Sequence, residues 1–516
     1  MVDIKIQAQL VWLCLFISIL AKVIYTLYLH PLASYPGPLV AKFTILWRVY
    51  QVWTGKRHLK LQQLHKKYGD FVRIGPNVLS ICNASAQKGT LLKLTLQDLM
   101  KDIYGKQSTM IKSIGYDKLR HDERYSNIVF ERDHRVHSQF KRELAPALSS
   151  KSLNDMEVYI KQNLDRFHQS VLKFGQNGGK AINMTKWMTY FTFDVLGDFC
   201  FGKPIGFLEA GDDHGWKDRT KAHSFFGAIV RPYIVVNASN TFLKGKVAPE
   251  YAWLRKYVVP KTVVEMTEAM NKDTIQKITN RLSSPNDRKD FFYYFLQNLD
   301  KEETQKELQQ RLFATYQVVI IAGGETISTA LNAAIYLLAS NPRCYKKLRS
   351  EVESHFSSSH EMESHQLAQL SYLNAVINET LRIRPPLVGE LPREVVEPSY
   401  VVGKKIPVGT EISVPYWALY HDARYFTAPE DFIPERWIDE LFEKDKTKGR
   451  EACQPFSLGS RVCLGKGMAY IEMRLALARW IIEFDFELAD PNSTFDVEDY
   501  TITINPESLI VVRSRQ

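Results

Sequence analysis

Ten residues, Phe456 to Gly465, hold the most chemically specific pattern in this 516-residue chain. They read Phe-x-x-Gly-x-Arg-x-Cys-x-Gly, and a helix-period stretch, Met468 to Phe484, follows at once. The spacing predicts a turn that delivers Cys463 to the start of a long helix. The glycines at 459 and 465 permit backbone angles and close approaches that side chains forbid. A helix N-terminus offers unpaired N–H groups and partial positive charge, which favour a thiolate over a thiol. Arg461 adds a cation able to pair with a ligand carboxylate. A lone cysteine is commonly just a buried core residue. Five specified positions in ten point instead to a metal ligand or a nucleophile.

A second constellation, Ala322-Gly323-Gly324-Glu325-Thr326, lies midway in a helix pattern running from Glu303 to Ser340 and ended by Asn341-Pro342. Two adjacent glycines in a helix interior cost about 1 kcal/mol each relative to alanine. A chain tolerates that when a bulky object lies against the backbone or when the hydrogen-bond ladder opens locally. The carboxyl of Glu325 and the hydroxyl of Thr326 follow directly, as a proton relay needs; a packing helix with Glu325 on its wet side is the plainer reading. Glu379 and Arg382 sit at i,i+3, ordinarily a surface pair. Their helix is largely apolar, however, and Pro434-Glu435-Arg436-Trp437 follows downstream. His137 and Lys141, at i,i+4 in the basic amphipathic segment Asp133–Leu148, share one helix face. Either can donate to a carboxylate.

The elements that must position these groups are mostly helical from Leu59 onward. Short strand-like runs occur at Phe71–Ile74, Val78–Ile81, Tyr400–Val402 and Glu411–Val414, with a hairpin at Tyr500–Ile504. Ala8 to Leu29 is apolar with Lys22 as its only charge, and about 20 such residues span a bilayer. Lys42, Arg48, Lys56 and Arg57 follow it, which places the body on the cytoplasmic side. Three prolines and a glycine in His30–Pro38 make a stiff connector. The net charge of +10 suggests an acidic partner or an anionic membrane lipid surface. Nucleic acid is excluded as a partner, because the Lys and Arg are dispersed without a nucleic-acid motif. Six widely spaced cysteines with no Cys-x-x-Cys pair fit a reducing compartment.

The Cys463 loop resembles the haem-ligand loop of the cytochrome P-450 superfamily, in which the thiolate is the proximal ligand of haem iron. Ala322–Thr326 resembles that family's distal Ala-Gly-x-(Asp/Glu)-Thr motif. Glu379, Arg382 and Arg436 resemble its buried Glu-x-x-Arg and Pro-Glu-Arg network, which holds the Cys loop in place. The likeness runs from anchor to C-terminus and its wording is fungal. It implies a mainly α P-450 fold with a small β subdomain, preceded by one transmembrane helix. The expected parts are an anchor (1–30), a proline-rich hinge and linker (31–58), and a haem-thiolate monooxygenase domain (59–516).

By resemblance the cofactor is haem b, with Cys463 as iron ligand and Phe456, Arg461, Gly465 and Gly323 around it. His137, Lys141 and Arg393 would take the propionates, although the family has Trp and Arg where this chain has His137 and Lys141. Thr326 and Glu325 would deliver protons. The segment Lys203–Val264, with Trp216, Phe225, Phe226, Tyr233, Tyr251 and Trp253, would roof the site, and Leu387–Leu391 would line it. The implied reaction places one oxygen atom from O2 into a small hydrophobic substrate. Electrons would come from NADPH-cytochrome reductase at the endoplasmic reticulum membrane. The setting implied is secondary metabolism of terpenoids, polyketides or alkaloids. The alternatives are a hydroxylase of small aromatic acids, a haem-thiolate isomerase or dehydratase needing no reductase, and a non-catalytic anchored helical protein.

Overall fold

The computed structural model describes residues 2–88, 103–106, 108–118, 126–213, 215–216, 261–283, 288–297, 304–438, 440–500 and 502–515. Helix α1 (Val2–Ile24) runs on through a wider turn, Tyr25–Leu29. Among the described residues, two helical stretches are long and apolar enough to cross a bilayer, Ile6–Leu29 and Lys306–Ser340. The first is 6% buried and the second 67%, so only the first has the exposure of a membrane anchor. The second is a core helix.

The proline-rich segment does not hang free. The backbone N–H of Arg73 donates to the Pro36 carbonyl at 2.7 Å, and a Cβ on Gly37 would lie 2.1 Å from the Arg73 carbonyl oxygen. Short helices α2 (Leu39–Phe43) and α3 (Leu46–Trp53) come next, then α4 (Arg57–Tyr68). Strands β1 (Phe71–Gly75) and β2 (Val78–Ile81) form a hairpin with Phe71 opposite Ile81. They join β3 (Ile111–Lys112), β4 (Arg393–Glu394) and β5 (Glu411–Ser413) in one sheet of order β1-β2-β5-β4-β3. The β2–β5 pairing is parallel, and Lys112 on β3 lies opposite Arg393 on β4. Ser399–Val401 pairs instead with Lys404–Ile406, outside that sheet. The hairpin near the C-terminus is β6 (Glu498–Tyr500) with β7 (Ile502–Ile504). Thr503 ties it to the Pro385 and Pro386 carbonyls and Asn505 ties it to that of Thr329, bringing this end of the chain to the central helices.

The helical core comprises α5 (His134–Leu144), α6 (Ser150–Gly175), α7 (Met184–Phe201), α8 (Gln305–Ser340), α9 (Pro342–His355), α10 (Ser371–Ile383) and α11 (Lys466–Glu483). Helix α5 starts where the Asp133 carboxylate accepts from the Arg135 and Val136 N–H groups. Helix α8 starts on a capping box between Thr304 and Glu307. Trp480 of α11 is buried against Phe167 of α6 and Phe484.

The glycine pair in α8 does not open the ladder; the helix is continuous through it. The object against the backbone is α7. A Cβ on Gly324 would fall 2.5 Å from the Phe193 ring, and one on Gly323 3.1 Å from Leu196. Thr192 donates its hydroxyl to the Gly324 carbonyl at 3.0 Å. Trp216 packs edge-on against Phe193, whereas Phe225, Phe226, Tyr233, Tyr251 and Trp253 lie outside the described residues. Gly324→Ala is expected to force Phe193 off its rotamer and cost about 1–3 kcal/mol by overpacking. Chemical denaturation of the variant against the parent chain checks this, and an unchanged midpoint contradicts it.

Candidate active site

The loop before α11 is shaped by two residues at positive φ, Ser457 at 60° and Gly459 at 67°. Gly459 is indispensable for a second reason, since a Cβ there would sit 2.3 Å from the Tyr104 carbonyl oxygen. Gly465 differs from the expectation. Its φ is −78°, and a Cβ would meet only the Cys463 sulfur at 3.9 Å, so protein packing does not require glycine at this position. The Cys463 N–H donates to the Phe456 carbonyl at 2.9 Å, which closes the loop. Cys463 is surface-accessible, yet protein surrounds it closely enough that burial pushes its thiol pKa up. The N–H groups of Gly465 and Lys466 and the Lys466 ammonium act in the opposite sense. Such a sulfur is stabilised as an anion only when a further cation sits against it.

Basic groups gather beside this loop. Arg461 donates to the Glu131 and Arg132 carbonyls at 2.7 and 2.9 Å, which fixes its guanidinium; among the described residues no carboxylate is bonded to it. Burial first, and then the neighbouring Arg393 guanidinium, draw its pKa down to about 10. Arg393 is itself buried on β4, over the Tyr104 ring. His137 is buried on the inner face of α5, its pKa held near 3 by burial and by Arg461, Lys112 and Lys141. It is therefore a neutral imidazole with one N–H to give. Lys141, one turn on, is half-buried. A guanidinium and an imidazole whose pKa values neighbouring cations lower mark a place suited to an anion.

On α8, Ala322 is exposed and Thr326 half-exposed, although Gly324, Glu325, Ile327 and Ser328 are buried around them. The middle of this core helix therefore has one open flank. Thr326 donates its hydroxyl to the Ala322 carbonyl at 2.6 Å. Glu325 is buried rather than wet.

Behind the Cys loop lies a fully buried charge network. Arg382 forks onto Glu379 at 2.8 and 2.9 Å, and Arg436 donates to the same carboxylate at 2.9 Å. The Trp437 indole and the Ile433 N–H complete its shell at 3.0 Å each. The remaining guanidinium hydrogens go to carbonyls of Tyr420, Pro429, Asp431, Thr427 and Ala428. Arg436 also pairs with Asp445, a buried carboxylate that additionally accepts from the Thr427 N–H and hydroxyl. Asp445 was missed from sequence because Lys444-Asp445-Lys446 reads as solvated surface. Glu435 faces the other way. Although burial acts to raise its pKa, hydrogen bonds from Arg343 and Lys347 of α9 hold it near 2.

A planar iron cofactor bearing two carboxylates fits these residues. The accessible Cys463 sulfur with its flanking N–H groups suits a metal ion, and the neighbouring Arg393 and Arg461 guanidiniums suit carboxylates. Comparison with known proteins agrees. Residues 35–512 match the family model described as Cytochrome P450. A cytochrome P450 monooxygenase of Penicillium roqueforti is 34% identical over 93% of this chain and 87% of its own length. The trichothecene C-15 hydroxylase of Fusarium sporotrichioides is 33% identical over 91% and 90%, and a monooxygenase of Botryotinia fuckeliana 32% over 97% and 90%.

Arg382→Ala is expected to strand the Glu379 carboxylate and cost about 3–5 kcal/mol. Purified protein should then lack haem absorbance, and a normal Soret band would contradict the coupling between network and loop. Asp445→Asn, which keeps the shape and removes one charge, should lower the denaturation midpoint while Asp445→Glu recovers part of it.

Proposed function

Because this chain belongs to the cytochrome P450 family and is a haem-dependent monooxygenase, we propose that the Cys463 thiolate would hold the haem iron. We further propose that the substrate is a small hydrophobic secondary metabolite. The observation that carries the first reading is the sulfur itself, which is accessible and is favoured as an anion by two backbone N–H groups and the Lys466 ammonium, although burial raises its pKa. The second draws support from the relative named as a trichothecene hydroxylase. Terpenoid, polyketide and alkaloid scaffolds are the classes to test.

Bound haem supplies oxygen activation, with a thiolate ligand pushing electron density that favours O–O cleavage. The chain's own residues hold and supply the rest. Arg393, Arg461, His137 and Lys141 would hold the two propionates, Arg461 with the fixed orientation that its carbonyl partners impose. Phe456 and Gly465 would lie on the sulfur side, and Gly323 and Ala322 would face the cofactor from α8. Thr326 can release its bond to the Ala322 carbonyl and turn its hydroxyl toward a water or a substrate oxygen. Glu325 stands one residue away as the carboxyl that resupplies the proton. Glu379, Arg382, Arg436 and Asp445 touch no reactant; they position the loop.

The family reaction uses O2, a redox partner and an organic substrate. We assign the electron source to an NADPH-cytochrome reductase. Its dock would be the basic side near Cys463, where Lys466 is exposed. The N-terminal apolar helix is compatible with a membrane anchor; the endoplasmic reticulum, with the catalytic domain cytosolic, is the proposed location.

The test is co-expression with a reductase and a mass screen for gain of one oxygen atom. Cys463→Ala should abolish both the thiolate-type carbon monoxide difference band and oxidation; retention of either overturns the assignment. Thr326→Ala should keep the haem and consume NADPH, while product falls roughly 10²-fold.

A further inference from the structure

The cations beside the Cys loop come from three separate elements. Arg393 lies on β4, Arg461 in the loop itself, and His137 and Lys141 on α5. One further arginine, two residues before α5, is bonded to all of this without belonging to it. The Nε of Arg132 donates to the Lys112 carbonyl on β3 at 2.8 Å. One Nη donates to the Asp117 carboxylate of the short helix Gly115–Lys118, and the other to the Glu394 carboxylate on β4, each at 2.7 Å. Every guanidinium nitrogen therefore has a partner. The Arg132 carbonyl in turn accepts from Arg461 at 2.9 Å, beside that of Glu131 at 2.7 Å.

A guanidinium is planar and its N–H groups point in fixed directions. With its three nitrogens bonded to three elements it holds one orientation, and the peptide group that receives Arg461 is held with it. The rest of the connector is tied down along its length. Lys112 donates its ammonium to the Ile128 and Val129 carbonyls at 2.9 and 2.6 Å. The Asn127 side-chain oxygen accepts from the Val129 and Phe130 N–H groups and closes a turn. The Glu131 carboxylate accepts from the N–H of Asp133, the residue that caps α5. On the sheet side, β3 and β4 pair with Lys112 opposite Arg393 and Ile111 opposite Glu394. Arg132 thus bonds to both strands, at the chain neighbour of Arg393 on one and at its cross-strand partner on the other.

Two carboxylates hold Arg132, so it offers no charge to a further anion. Its pairs are also partly exposed, 19% for the arginine against 31% and 34% for the acids, where an isolated pair contributes little stability. What the three bonds supply is orientation. We propose that Arg132 is the positioning residue for the anion-binding cations: it sets where Arg461 points and holds β4 and the start of α5 in register, so that groups on three elements can serve one ligand. The proposal rests on the assignment of Arg393, Arg461, His137 and Lys141 to the haem propionates and deepens it.

The test follows haem release from the purified holoenzyme to excess apomyoglobin, read in the Soret region. Arg461→Gln removes a direct contact, Arg132→Ala removes the positioning group, and the double variant closes the cycle. Each single change should speed release about tenfold, the worth of one hydrogen bond to a charged group. The double variant should stay within about twofold of Arg461→Gln alone, because Arg132 acts through Arg461. Multiplied effects, about 100-fold in the double variant, mean that Arg132 supports the fold independently, and they overturn the proposal. Release at the parent rate in Arg132→Ala, with Arg461→Gln fast, overturns it too and leaves the propionate assignment standing. Parent rates in both single variants overturn the two together. Arg132→Lys keeps the charge without the fork and takes the place of Arg132→Ala in the cycle if that variant does not fold. The propionate bending bands in resonance Raman spectra of Arg132→Lys should shift in the same sense as those of Arg461→Gln. Bands that shift in Arg461→Gln and stay in place in Arg132→Lys refute the positioning role.

Discussion

Two arginines and two carboxylates, Glu379, Arg382, Arg436 and Asp445, sit together where no water reaches them. Taking one such ion out of water costs several kcal/mol, and mutual attraction repays it only if every lone pair and hydrogen is matched. Here they are matched, with the charges equal in number and spare guanidinium hydrogens capped by carbonyls of the loop between Tyr420 and Asp431. The consequence is geometric more than energetic. Five backbone carbonyls lie where two rigid forks put them. The proposed role of the network is to brace the cysteine loop that follows it in the chain.

The second constraint is the electrostatics of the sulfur. Two N–H groups and one ammonium favour the thiolate, while enclosure disfavours it more strongly. An enclosed anion needs a closer cation than any lysine provides, and a metal ion is the compact solution. The Arg393–Arg461 pair states the same requirement with the sign reversed, since cations held together await carboxylates. Both features suit one ligand that carries a cation at its centre and anions at its rim, as proposed for the haem of this family.

Helix α8 serves two opposing demands. Toward α7 it must pack so closely that Gly324 admits a phenylalanine ring, and on another flank it leaves Ala322 exposed and Thr326 half-exposed. Small residues on adjacent faces meet both demands without a break in the ladder. The long helix is therefore a core element with one open flank, the flank proposed to face the haem.

Much of this was legible in the residues alone. The Cys463 loop and the Glu379–Arg382 and Pro434–Trp437 segments declare themselves by residue type at fixed short spacing, because the chemistry they serve tolerates few alternatives. Helices with apolar stripes and the uninterrupted apolar span are set by local periodicity and were readable for the same reason. Asp445 was not, since nothing local distinguishes a carboxylate flanked by lysines on the surface from one drawn inward by an arginine nine positions earlier in the chain. Nor was it evident that Gly324 answers to a ring on another helix, that Gly465 is free of backbone strain, or that the proline-rich segment, which reads as a mere spacer, is bonded to β1 at Arg73. The sequence by itself determined which groups could do chemistry and which stretches could be helix. The tertiary structure decided which charges are buried together and which glycines are obligatory, because both depend on neighbours that only folding brings within a few ångströms.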